Sequence, residues 1–82
     1  MNRDVDRICN MLRQFVRGDD RSLAFASALE VALDKAFPDD DECQDMVLAL
    51  ASYRPGGGEY LYDEEDISKR CRRILARLCP AS

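Results

Sequence analysis

Asp63-Glu64-Glu65-Asp66-Ile67-Ser68-Lys69-Arg70-Cys71-Arg72-Arg73-Ile74-Leu75-Ala76-Arg77-Leu78 carries every mark of a single helix. Ile67, Cys71, Ile74, Leu75 and Leu78 recur at i, i+4, i+7, i+8 and i+11, the spacing of one apolar face. Acids fill the first turn and bases follow, the order that a helix dipole favours. Asp63 and Asp66 have the spacing of a capping box, and Glu65–Lys69 and Asp66–Arg70 are i,i+4 pairs in the favourable direction. Pro80 ends the segment. The spacing predicts a helix over Glu64 to Leu78.

The same pattern recurs upstream. Cys43, Met46, Val47, Leu50 and Ala51 place a helix over Asp41 to Tyr53, stopped by Pro55-Gly56-Gly57-Gly58. Phe25, Leu29, Ala32 and Ala36, flanked by Leu33 and Ala28, place another over Arg21 to Ala36. Asp19, Asp20 or Ser22 can cap it, and Phe37-Pro38 ends it. Alanine-rich and apolar over most of its circumference, this helix is expected to be the most buried of the set. Val5, Ile8, Cys9, Leu12, Phe15 and Val16 place the first helix over Arg3 to Arg17, with Gly18 able to take the positive φ of a helix terminator. Short connections between successive helices favour antiparallel neighbours. The expected architecture is all-α, a compact antiparallel four-helix bundle formed by one domain spanning residues 1–82.

Composition narrows the function. The 82 residues carry 12 basic and 16 acidic side chains, a net charge of −4. That balance argues against direct nucleic-acid binding, which leaves a basic footprint. With no histidine in the chain, His-containing zinc sites, imidazole acid–base catalysis and Ser-His-Asp triads are excluded. The longest apolar runs are too short to span a membrane, and Met1-Asn2-Arg3-Asp4-Val5-Asp6, with acids and no apolar stretch, is not expected to act as a secretory signal. The chain is expected to be cytoplasmic, non-enzymatic and without cofactor or metal. Cys9, Cys43 and Cys71 fall on apolar stripes, and Cys79 at the tail is expected to be the most exposed of the four. Without an export signal or a close ligand pair, the expectation is four reduced thiols rather than a disulfide framework or a Cys₄ zinc site.

Charge is unevenly distributed. Residues 1–35 are neutral overall, 36–66 carry −9 and 67–82 carry +5. The acidic block holds two clusters, Asp39-Asp40-Asp41-Glu42 and Asp63-Glu64-Glu65-Asp66. Between them lie Glu59, Tyr60 and Tyr62. Acids at helix starts serve as caps, yet two clusters flanking a tyrosine-bearing loop also compose a surface suited to a basic protein. The glycine triplet lacks the lysine of a phosphate loop and reads as a turn. Asp39-Asp40-Asp41 lacks the calcium-loop pattern. Glu59 and Asp63 could serve glycosidic acid–base work, but a chain this small offers little room for a deep site. The bases of the last helix read as a solvated face.

Three segments resemble the colicin D immunity protein family: Asp45-Met46-Val47-Leu48-Ala49-Leu50-Ala51-Ser52-Tyr53-Arg54-Pro55, Glu59-Tyr60-Leu61-Tyr62-Asp63-Glu64-Glu65, and the helix through Arg72-Arg73-Ile74-Leu75. Ser22-Leu23-Ala24-Phe25-Ala26-Ser27 is loosely similar. The glycine triplet and the four cysteines depart from the family pattern. The resemblance implies a small acidic four-helix protein that covers the basic active site of a tRNA-cleaving toxin, with carboxylates standing where tRNA phosphates would. The partner-binding residues expected on this basis are Glu59, Tyr60, Tyr62, Asp63, Glu64 and Glu65, with Asp41, Glu42 and Asp45 beside them. The partner is a basic protein such as a nuclease toxin domain, and the chain itself a monomer or weak dimer. The other reading is a small helical adaptor or homo-oligomerisation module using the apolar excess of the second helix, Leu23 and Val31 included.

Overall fold

The computed structural model describes residues 3–58 and 61–79, with side chains from residue 5 onward. It contains four helices: α1 (Arg3–Arg17), α2 (Leu23–Ala36), α3 (Asp41–Ala51) and α4 (Glu64–Leu78). Each packs on its neighbours in chain order, and α4 closes the ring against α1. The end of α1, the start of α2, the end of α3 and the start of α4 meet at one pole. There the Arg21 guanidinium donates to the carbonyls of Phe15 and Val16, and the Tyr53 hydroxyl donates to the carbonyl of Arg21. At the opposite pole Gln44 in the first turn of α3 donates to the carbonyl of Phe37 after α2, and Arg77 at the end of α4 binds Asp40 before α3. The bundle is therefore antiparallel, as the loop lengths predict.

The helix bounds follow local chemistry. Ser22, not Asp19 or Asp20, caps α2: its hydroxyl accepts from the Phe25 N–H while Asp20 accepts from the Ser22 N–H and hydroxyl. Arg21 is thereby drawn out of α2, where the sequence places it, to satisfy the last carbonyls of α1. Gly18 terminates α1 at φ 82°. Helix α3 stops at Ala51 rather than Tyr53, because the N–H groups of Ser52 and Tyr53 bond to the carbonyls of Ala49 and Leu50, the tightened geometry of a helix end. The Asp63–Asp66 capping box is complete.

Ile8, Leu12, Phe15, Leu29, Leu33, Met46, Tyr53, Ile67, Cys71 and Ile74 form the core. Phe15 and Tyr53 meet edge-on, with ring centroids 5.5 Å apart. Three expectations are overturned. Helix α2 is not the most buried helix: it buries only Ala26, Leu29 and Leu33, while Leu23 and Val31 are exposed at 42% and 58%. In a ring of four, each helix has one wet side, and the apolar circumference of α2 leaves that side uncovered. Nor are all four cysteines reduced. Cys9 and Cys79 form a disulfide between α1 and the end of α4, and Cys79 is buried rather than exposed. Chain position hid this pairing, since the two residues are 70 apart in sequence. Cys43 and Cys71 are free and buried, as their stripes predict.

Candidate functional site

Helices α3 and α4 enclose a groove of about 400 Å³. Buried Met46, Ala49 and Ile74 form its floor. Glu42 and Asp45 line the α3 wall with Leu48, which is 68% exposed; Arg70 and Arg73 line the α4 wall. Ser52 and half-buried Tyr62 stand at the end nearest the long connection. The Arg70 guanidinium lies 4.6 Å from the centroid of the Tyr62 ring, a cation–π contact.

That connection is fixed by backbone bonds. The Tyr62 N–H donates to the Ser52 carbonyl and the Arg54 N–H to the Tyr62 carbonyl, so residues 53 and 62 pair in an isolated bridge. Gly56 and Gly57, at φ 86° and 76°, turn the chain back. The Gly56 N–H then meets a carboxylate oxygen of Glu64 at 2.8 Å. The glycines serve a turn.

The expected partner-binding residues fall into three groups, with Asp41 apart from them, exposed in the first turn of α3. Glu42, Asp45 and Tyr62 share the groove. Asp63, Glu64 and Glu65 lie around a shallow depression with Arg21, Ser68 and Arg72 at the start of α4. Glu59 and Tyr60 lie outside the described residues. The two acid clusters sit at opposite poles: Arg77 reaches the first of them from the end of α4, about 20 Å of helix beyond Glu64.

Several acids already have internal work. Asp63 accepts from the Asp66 N–H, and chiefly this bond holds its carboxyl below the usual range. Glu64 is lowered chiefly by the Gly56 N–H. Arg77 binds Asp40 through two nitrogens and Glu42 through a third, each at 2.8 Å. Its guanidinium, with the Cys43 N–H second, brings the Asp40 carboxyl down to about 2. Among the described residues the carboxylates of Asp41, Asp45 and Glu65 are exposed and have no such partner. The Glu65–Lys69 and Asp66–Arg70 pairs do not close. Arg70 turns to Tyr62 instead, and Asp66 turns back to the Asp63 N–H.

Sequence reading missed Arg70, Arg73 and Leu48 as groove residues. Their signal was weak: two bases three apart on one helix, and a leucine off the apolar stripe of another. Among the described residues no three Cys, Asp or Glu side chains come together to hold a metal ion, and no helix is long and apolar enough to cross a membrane. Compared with known protein families, curated proteins and solved structures, the chain matches none.

Proposed function

We propose that this chain is a non-catalytic inhibitory partner of a basic protein, an immunity-like protein that shields the active site of an RNA-cleaving toxin in the cytoplasm. The observation that carries this reading is the outer face of α3, where Asp41 and Asp45 stand exposed without internal partners beside exposed Leu48. Free carboxylates next to an apolar anchor suit a cleft whose lysines and arginines ordinarily hold phosphates. Glu65 adds a free carboxylate at the far pole. Asp63, Glu64 and Glu42 contribute less, because each is committed within the chain. Tyr62, with Arg70 over its ring, supplies shape at the end of the groove.

The test is inhibition of tRNA cleavage by the catalytic domain of a tRNA-cleaving bacterial toxin. Stoichiometric inhibition is expected, with an on-rate that falls as salt rises. The D41K/D45K double variant should lower that on-rate about tenfold or more, without altering the fold. Reversal of exposed Arg72 should not weaken binding. Full cleavage in the presence of excess protein would end the proposal.

A second reading rests on α2. Exposed Leu23 and Val31 suit a helical adaptor or self-association module. Light scattering separates the two: a dimer broken by Val31→Lys favours the second, a monomer at all concentrations the first.

A further inference from the structure

We propose that the Cys9–Cys79 disulfide is a redox-controlled clamp on the last turn of α4. Its reduction releases Arg77 from Asp40 and Glu42 and loosens the first turn of α3. The proposal stands apart from the identity of any binding partner.

Two independent observations meet here. The first is the bridge, which ties the residue just after α4 to the middle of α1. Cys79 is also the C-cap of α4: its N–H donates to the Leu75 carbonyl at 2.8 Å. The covalent anchor and the final helical hydrogen bond thus share one residue. The second observation is Arg77, two residues earlier. Its guanidinium spans both Asp40, the N-cap of α3, and Glu42 in the first turn. It also donates to the Cys43 sulfur at 3.8 Å.

The link between them is entropic. The Arg77 side chain is 44% exposed and Glu42 is 43% exposed. Ion pairs so open to water gain little, because holding two long side chains in one geometry costs nearly what the attraction returns. A backbone fixed by a disulfide removes part of that cost. A frayed last turn restores it, and the pairs open. Asp40 would still accept the Cys43 N–H, so α3 would keep its cap oxygen and lose the charge that neutralises it.

The chemistry is a two-electron exchange with a dithiol reductant. One reductant thiolate attacks a bridge sulfur, a mixed disulfide forms, and the other cysteine leaves as a thiolate. The second reductant thiol displaces the first cysteine. The reductant departs as a disulfide, and Cys9 and Cys79 each end as a thiol. A disulfide oxidant such as oxidised glutathione reverses the step. Cys43 and Cys71 stay out of it: both are buried, and burial pushes their thiols up to about 11 and about 12. They remain protonated and poorly nucleophilic.

The test uses the full chain, oxidised with glutathione disulfide or reduced with dithiothreitol. Thiol titration in denaturant should find two thiols in the oxidised protein and four in the reduced one. Reduction should lower the melting temperature by about 10–25 °C, the effect of opening so long a loop in a domain this size. Amide exchange should quicken about tenfold or more over residues 75–79, and together with it about two- to fivefold at Cys43 and Gln44, the first bonded N–H groups of α3. Arg77→Ala with the bridge intact should quicken Cys43 and Gln44 alone. Four thiols in the glutathione-treated protein would overturn the clamp. So would unchanged exchange at Cys43 and Gln44 after reduction. If the reduced chain loses all protection, the Arg77→Ala chain decides: faster exchange at Cys43 and Gln44 supports the proposal, and unchanged exchange overturns it.

Discussion

Tyr53 and Arg21 show how single residues close one pole of the bundle. The Tyr53 ring is buried against Phe15, and its hydroxyl donates to the Arg21 carbonyl. Arg21 meanwhile caps α1 and lies 5.7 Å from the centroid of the Phe15 ring. Tyr53→Phe keeps the packing and removes one hydrogen bond, leaving a carbonyl with one partner fewer. A loss of about 1 kcal/mol is expected, measured by urea denaturation. Gly57 is a position in the long connection that admits no side chain without strain. At φ 76° a side chain is strained, and a Cβ there would sit 3.1 Å from the Asp63 Cβ. Gly57→Ala should cost about 1–2 kcal/mol for the left-handed backbone alone. It should also displace the residue that caps α4, so amide exchange over 64–67 should quicken with it.

At the scale of elements, the helix starts do most of the electrostatic work. Asp63→Ala removes the cap of α4 and should cost about 1 kcal/mol, read as a lower urea midpoint with an unchanged slope. The start of α3 gives a pH signature. The Asp40 carboxyl is lowered from 3.8 to about 2, first by Arg77 and then by the Cys43 N–H. A carboxyl lowered on folding contributes its full stability above its unfolded value and loses it as the pH falls through its folded one. Melting temperatures should therefore hold above pH 4 and fall between about pH 4 and pH 2. Asp63 and Glu64, also lowered, add to the same decline. Arg77→Ala should make the acid limb shallower. An unchanged limb in that variant would show that the Arg77–Asp40 pair contributes nothing to folding.

For the whole molecule, the uncovered side of α2 is the feature to probe. Val31 is 58% exposed, so Val31→Lys should alter stability by no more than about 0.5 kcal/mol. A loss of several kcal/mol on urea denaturation would mean that α2 is covered in solution by a second copy. The sequence by itself determined the helices. Bounds of α1 and α4 are as the periodicity predicts, and so are the caps at Asp63 and Gly18, because capping and apolar spacing are local and repeat within a few residues. It also determined that Cys43 and Cys71 are buried, since both lie on those stripes. Tertiary structure decided what joins distant residues. It paired Cys9 with Cys79, brought Arg77 onto Asp40 and Glu42, and drew Arg21 from α2 to the end of α1. It also parted the two acid clusters to opposite poles, although they look like one acidic block along the chain. Consecutive helices run in opposite directions, so the starts of α3 and α4 must lie at opposite ends. The groove follows the same logic: its acidic wall comes from α3 and its basic wall from α4. Only the packing of those two helices turns separate faces into one surface.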